Sequence, residues 1–437
     1  MKGEHFMEMM VVEGGCTLQG TVRVSGSKNA ALPMMAAALL ADGKTRLKNV
    51  PDLMDIRTMT VLLRALGVRV TRDGADLELE VEDDSPLEAP YDIMRTMRAG
   101  ICVLGPLLAR RRAARVSLPG GCAIGSRPVD LHVRGMVALG AKVKVEHGYL
   151  ECRAARGLTG HEMYLGGPYG STVLGTGNVL MAATLARGKT IIECAACEPE
   201  VQNLAQLLVA MGAQIEGLGT PRLEVTGVRK LSGATLEIVP DRIEAGTLLM
   251  AGALAGGTVT IQNFRWDHLM ALIHKLQQVG VKVKRNGGDV ITVLGRKRFR
   301  VVDVTTMPFP GYPTDLQAQL TALLSLADGI SVITEKIFPD RFMHVAELNR
   351  MGANIRKEGN MAIISGVRKL SGAPVMASDL RASAALVLAG LVAEGRTEVR
   401  RIYHLDRGYE RLDVKLTELG ARITRQEQPP GEIPRDE

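Results

Sequence analysis

Gly227-Val228-Arg229-Lys230-Leu231-Ser232-Gly233-Ala234 returns unchanged, 139 residues later, as Gly366-Val367-Arg368-Lys369-Leu370-Ser371-Gly372-Ala373. An eight-residue identity at that distance marks an internal repeat, and a repeat constrains the architecture before any single element is assigned. A shorter motif, apolar-Gly-Ala/Val-x-Val/Ile, recurs at half the interval. Its copies are Leu66-Gly67-Val68-Arg69-Val70, Leu139-Gly140-Ala141-Lys142-Val143, Met211-Gly212-Ala213-Gln214-Ile215, Val279-Gly280-Val281-Lys282-Val283, Met351-Gly352-Ala353-Asn354-Ile355 and Leu419-Gly420-Ala421-Arg422-Ile423. The glycines lie 73, 72, 68, 72 and 68 residues apart, so six units of about 70 residues account for nearly the whole chain.

A second motif keeps the same beat. Apolar, Ala- and Leu-rich runs end in Leu40-Ala41-Asp42-Gly43, Leu185-Ala186-Arg187-Gly188, Leu254-Ala255-Gly256-Gly257, Leu326-Ala327-Asp328-Gly329 and Val392-Ala393-Glu394-Gly395, with Leu108-Ala109-Arg110 as a degenerate copy. Glycine just past an apolar helical run is a helix stop, and β-rich residues such as Thr258-Val259-Thr260-Ile261 follow. Each unit reads as helix, glycine stop, strand, helix, glycine turn and strand pair. Helices that are apolar nearly all round must be buried. The expectation is therefore an α/β protein with helices inside and sheets outside, in two lobes of three units, with a ligand site in the cleft between them.

Composition sets the bounds. The chain has 437 residues, 46% of them apolar and 23% charged, which excludes general disorder. Apolar runs such as Ala382 to Ala393 fall short of the roughly 20 residues of a membrane span, and no apolar signal-peptide core follows Met1. A cytoplasmic protein without membrane attachment is expected. The 54 basic and 47 acidic residues give a net charge of +7, compatible with a solvated basic surface, nucleic acid or small anions. No basic tract interleaved with aromatics favours nucleic acid. The six cysteines are expected to be reduced thiols; Cys194-Ala195-Ala196-Cys197 has CxxC spacing but no partners for a tetrahedral metal site, so packing is its expected role.

Specific motifs then carry a resemblance. They are Ser25-Gly26-Ser27-Lys28-Asn29-Ala30-Ala31-Leu32, Met94-Arg95-Thr96-Met97-Arg98-Ala99, and the stretch from Ser117 through Cys122 and Arg127-Pro128-Val129-Asp130-Leu131-His132. Further along stand Pro240-Asp241-Arg242-Ile243-Glu244, Pro313-Thr314-Asp315-Leu316-Gln317, Arg341-Phe342-Met343-His344, Asp379-Leu380-Arg381 and His404-Leu405-Asp406-Arg407-Gly408-Tyr409-Glu410. From about Val12 to Arg425 the chain resembles the UDP-N-acetylglucosamine 1-carboxyvinyltransferases, within the EPSP synthase superfamily. The resemblance implies a two-lobed inside-out α/β barrel built from six repeats, with 1–27 plus 238–425 as one lobe, 28–237 as the other and 426–437 as a disordered tail.

It also implies the reaction: enolpyruvyl transfer from phosphoenolpyruvate to the 3′-hydroxyl of UDP-N-acetylglucosamine, releasing phosphate, with neither cofactor nor metal. So much anionic charge in a closed site calls for fixed cations, preferably bidentate arginines. By resemblance Lys28, Asn29, Arg127, Arg341, Arg381 and Arg407 meet phosphoenolpyruvate. Arg98, Arg127, Pro128, Val129, Asp130, Leu131, Asp315 and Ile337 meet the UDP-sugar. Cys122, in a glycine-rich loop with cations nearby to acidify its thiol, is the implied proton donor to the methylene carbon and the site of a covalent adduct. Asp315 has two readings, a cap on a helix starting at Leu316 or, by resemblance, the base for the sugar hydroxyl. Ser171-Thr172-Val173-Leu174-Gly175-Thr176 departs from the family, which carries Ser-Val-Gly-Ala-Thr; Leu174 takes the glycine place. The competing readings are 5-enolpyruvylshikimate-3-phosphate synthase and a silent paralogue that binds UDP-sugar. The oligomeric state is not legible in the sequence.

Overall fold

The computed structural model describes residues 8–118 and 129–428. All six glycines of the short motif have positive φ, from +80° at Gly67 to +107° at Gly212. Each follows a helix, the first being Met54–Ala65 and the last Leu412–Glu418, and each starts a strand. The left-handed conformation ends the helix and turns the chain into the strand, which is what glycine tolerates best. In the second motif Gly43, Gly188, Gly329 and Gly395 are also at positive φ, but each lies a few residues past its helix and turns the chain into the next strand rather than stopping the helix itself. Its degenerate copy ends the Leu104–Arg111 helix on Arg112, a non-glycine residue at φ +60°.

The first glycine of each octamer has a steric cause. A Cβ on Gly227 would lie 1.5 Å from the Ala186 carbonyl oxygen, and one on Gly366 would lie 1.6 Å from that of Ala327. Both partners belong to the Leu-Ala-x-Gly motif, and the glycine amides donate to Gly188 and Gly329 at 2.9 Å. The two motifs share one period because each holds the other in backbone contact.

Two compact units emerge, one of 8–24 with 242–428 and one of 25–118 with 129–241. In the second, the helices Lys28–Ala37, Leu104–Arg111 and Val173–Ala183 lie in the interior; nine of the ten residues of Lys28–Ala37 are buried. In the first, Arg242–Ala255, Gln317–Leu324 and Leu380–Val392 do the same, with thirteen of the fourteen residues of Arg242–Ala255 buried. Helices this uniformly apolar can only be interior elements. By contrast Met54–Ala65 buries five of twelve, on one face.

Three four-stranded sheets accompany the interior helices of each unit, and all follow one plan: a parallel edge pair, then two antiparallel neighbours. Thr235–Glu237, Thr45–Lys48, Asp76–Val81 and Val68–Asp73 show it in the unit of 25–241. In the other unit, Glu8–Glu13 lies between Arg396–Arg400 and Arg422–Glu427, and Leu18–Arg23 pairs in parallel with Gly257–Gln262. The fold is mixed α/β. The last strand runs through Glu427, and Gln428 is buried. This corrects the expectation of disorder from residue 426, because pairing with Glu8–Glu13 extends the strand to Glu427; residues 429–437 lie outside the described residues. No helix among the described residues is long and apolar enough to cross a membrane.

Candidate functional site

In the unit of 8–24 and 242–428, three expected residues meet. Asp315 lies in the short 3-10 turn Thr314–Leu316, and the helix proper begins at Gln317. Its carboxylate accepts from Arg341 Nη1 at 2.7 Å and from Arg381 Nη2 at 2.9 Å. It therefore does not cap a helix, and that reading is corrected: two guanidiniums attract a carboxylate more strongly than free helical amides do. Burial alone would raise its pKa, but Arg381 and Arg341 outweigh burial and hold the group well below the ordinary carboxylate range. Both arginine side chains are almost fully buried, while about a quarter of Asp315 remains open to solvent.

Each element places its side chain for a local reason. Asp379 caps the Leu380–Val392 helix by accepting from the Arg381 and Ala382 amides, which fixes Arg381 in the first turn. The Arg381 guanidinium lies 5.2 Å from the centre of the Tyr409 ring, a cation–π distance. The Tyr409 hydroxyl bonds Thr247 and Gln319, and Gln319 also donates to the Asp315 carbonyl. Arg407 stands at the C-terminal cap of the short Tyr403–Asp406 helix, two residues before Tyr409. Ile337 is half-buried, in the loop that leads to Arg341. His344 is buried, and burial with the Arg341 charge against the nearby Asp379 pushes its pKa down to about 4, so it is neutral at pH 7.

The unit of 25–118 and 129–241 carries the other described candidates. Lys28 opens its helix behind the cap of Ser27, whose hydroxyl accepts from the Ala30 amide. Its ammonium meets Asp55 at 3.0 Å, both side chains about nine-tenths buried or more. Asn29 follows, half-buried, beside a crevice it shares with Leu174, Glu200 and Leu204. Leu174, in the place the family gives to glycine, thus lies toward the Lys28–Ala37 and Pro199–Ala210 helices. Arg98 starts the Arg98–Val103 turn, while Asp130 and Leu131 open the Asp130–Ala138 helix after Val129. Burial, then the Arg98 charge, depress His132 to about 4 against the pull of Asp130. Its Nδ1 lies 3.0 Å from Asn178 Nδ2, which also donates to the Ile101 carbonyl, while Asn178 Oδ1 accepts from the Gly105 amide.

Cys122, Arg127 and Pro128 lie outside the described residues. Cys194 and Cys197 are free thiols; Cys194 sits at φ +59°, near enough to Tyr164 to push that hydroxyl's pKa up. Asp55 and Asn178 in one unit and Glu335 in the other are buried polar residues that the sequence did not single out. Glu335 had one faint signal, an acid ending the apolar Ile330–Thr334 strand.

Residues 12–416 match the family model described as EPSP synthase (3-phosphoshikimate 1-carboxyvinyltransferase). The curated UDP-N-acetylglucosamine 1-carboxyvinyltransferase of Anaeromyxobacter sp. (strain K) is 54% identical over 422 residues, 96% of this chain and 99% of that one. Its counterpart from Trichlorobacter lovleyi is 51% identical over 423 residues, 97% and 100% of the two chains. Among solved structures, the enolpyruvyl transferase NikO from Streptomyces tendae is similar at a TM-score of 0.88 and 27% identity, covering 97% of this chain and 100% of that one. EPSP synthase from Acinetobacter baumannii reaches a TM-score of 0.76 at 18% identity over 96% of this chain and 100% of its own, a likeness of fold alone.

Proposed function

This chain belongs to the family of UDP-N-acetylglucosamine 1-carboxyvinyltransferases, and from that premise we propose that it transfers the enolpyruvyl group of phosphoenolpyruvate to the 3′-hydroxyl of UDP-N-acetylglucosamine, with release of phosphate. The step is the first committed one of peptidoglycan precursor synthesis, placed in the cytoplasm. The observation that carries this reading is the Asp315 carboxylate held between Arg341 and Arg381.

In this reading the sugar oxygen bonds to C2 of phosphoenolpyruvate as its proton passes to Asp315, and the Cys122 thiol protonates C3. Loss of a C3 proton with cleavage of the C2–O–phosphate bond then regenerates the double bond. Lys28, Asn29, Arg127, Arg341, Arg381 and Arg407 neutralise the phosphate and carboxylate, as fixed dipoles and charges do for a developing anion. Arg98, Pro128, Val129, Asp130, Leu131 and Ile337 seat the UDP-sugar. An Asp315 clamped by two arginines is a weak base. When the phosphoenolpyruvate anion draws the guanidiniums toward itself, the carboxylate regains basicity, so base strength rises with substrate in place. The fold reading goes with the function: the six four-stranded sheets are six copies of one unit, three to a lobe, each lobe an inside-out α/β barrel. The test is phosphate release with phosphoenolpyruvate plus either UDP-N-acetylglucosamine or shikimate 3-phosphate. Release with the UDP-sugar only is expected; release with neither would make the chain a silent paralogue.

A further inference from the structure

Glu335 is a fully buried carboxylate with no cation beside it in any described ion pair. A buried charge persists only where hydrogen bonds replace its water, and four donors do so here. Its Oε1 accepts from the Thr306 hydroxyl at 2.7 Å, the Ile337 amide at 2.8 Å and the Phe338 amide at 3.0 Å. Its Oε2 accepts from the Thr314 hydroxyl at 2.9 Å. The Thr314 oxygen in turn accepts from Arg341 Nη1 at 3.1 Å, the same nitrogen that donates to Asp315.

The two oxygens do different things. Oε1 folds the loop after the Ile330–Thr334 strand, the loop that carries Ile337. Oε2 orients a hydroxyl so that its hydrogen points to Glu335 and its lone pairs point to Arg341. A loop scaffold needs only the first oxygen, and a neutral amide at this position would supply it. The second acceptor has a use only at the far end of the relay, at Arg341 and Asp315. We infer that Glu335 is a positioning residue for the transfer reaction, acting through Thr314 to hold the Arg341 guanidinium at the phosphoenolpyruvate end of the site. This rests on the assignment of Arg341 and Asp315 made above.

The relay gives a specific signature. In Glu335→Gln the amide oxygen can keep the Ile337 and Phe338 contacts, while its NH2 must face Thr314. The hydroxyl then reverses and one hydrogen bond to a charged group weakens. The KM for phosphoenolpyruvate is expected to rise about tenfold, with that for UDP-N-acetylglucosamine within about twofold of wild type, because the Ile337 loop stays folded. Thr314→Val should do the same, and the double variant should be no worse than Thr314→Val alone, since both changes cut one chain. Glu335→Ala, which loses both oxygens, should raise both KM values. Equal rises in both KM values for Glu335→Gln, no rise at all, or additive effects in the double variant would overturn the proposal. The structure of the Glu335→Gln variant supplies a readout that needs no substrate. Arg341 Nη1 is expected to leave its 3.1 Å contact with Thr314, and an unmoved guanidinium would sink the relay even if the substrates assigned above proved wrong. A wild-type chain without turnover would fault that assignment alone.

Discussion

In the unit of 242–428 one carboxylate faces two guanidiniums, whereas in the unit of 25–241 one ammonium faces one carboxylate. The first trio carries a surplus positive charge and the Lys28–Asp55 pair carries none. In the proposed reaction, the surplus means that an arriving dianion competes with Asp315 for the arginines rather than with solvent. The balanced pair means that Lys28 is held at a fixed post by its own partner. Neither arrangement is a good device for stability, because taking charges out of water costs about as much as their attraction returns. Under the proposed function, each unit sets out cations that meet an anion away from water.

The sharpest way to break this contrast is Asp315→Asn. It keeps the size of the side chain but removes the negative charge and the proton acceptor. Turnover with phosphoenolpyruvate and UDP-N-acetylglucosamine should fall by about 10² to 10⁴. The KM for phosphoenolpyruvate should not rise, because the two arginines are then released to the substrate. A kcat within a few-fold of wild type would reduce Asp315 to a structural anchor.

On the other side of the contrast, Asp55→Ala strands the buried Lys28 ammonium. Removing one member of a buried pair costs roughly 3–5 kcal/mol, read as a shift of the denaturant midpoint. The Lys28→Met/Asp55→Leu variant should recover most of that stability while remaining inactive. If Asp55→Ala costs less than about 1 kcal/mol, the range of a surface pair, then the balanced-pair description fails.

The two units agree in one respect, and pH can test it. Each keeps a buried, neutral histidine beside a proposed substrate arginine, His132 near Arg98 and His344 near Arg341, and each has a pKa of about 4. An unfolded histidine titrates near 6.5. Between those values the unfolded chain binds a proton that the folded chain does not, so stability falls as pH drops from about 6.5 to about 4. Each histidine accounts for up to about 3 kcal/mol of that loss. Replacing either by Gln should flatten the acid limb of stability against pH, and imidazole NMR should show no protonation of either ring above about pH 5. A stability difference between wild type and variant that is constant across this range would refute the assignment.

How much of this was legible in the sequence follows from the range of the interactions. The motif glycines are read locally: a left-handed helix stop depends on its own residue and its neighbours, and all six adopt it. The octamer glycines are nearly as plain, because their backbone contact recurs with the repeat. Asp315 was legible only as a choice between helix cap and base, since the arginines that its carboxylate meets lie 26 and 66 residues away. Asp55 and Glu335 carried almost no signal. Each is a single acid in an ordinary segment, and only tertiary structure brings Asp55 to Lys28 and Glu335 to Thr306 and Thr314.

The smallest expected effect returns to the repeat itself. Within the unit of 25–241, Gly43 and Gly188 lead the chain into the strands Thr45–Lys48 and Lys189–Glu193 at φ +80° and +88°, and Arg112 leads into Ala113–Ser117 at φ +60° with a side chain attached. A non-glycine residue in the left-handed region costs about 1–2 kcal/mol. Arg112 is exposed, and its backbone already serves the turn: the amide bonds the Leu108 carbonyl and its own carbonyl accepts from the Ala154 amide. Arg112→Gly therefore removes strain without removing a described side-chain contact. Part of the gain is returned through the greater freedom of glycine in the unfolded chain, about 0.4–1 kcal/mol, so a net stabilisation of about 1 kcal/mol or less is expected. The converse change is Gly188→Ala, at φ +88° with open space where the Cβ would go. It should destabilise by a similar amount, since only the backbone conformation penalises it. Opposite shifts of comparable size in the denaturant midpoint, with turnover unchanged in both, would show that the degenerate copy obeys the same backbone rule as the intact ones. A loss of stability in Arg112→Gly would mean that the arginine side chain does something at this turn that outweighs its strain.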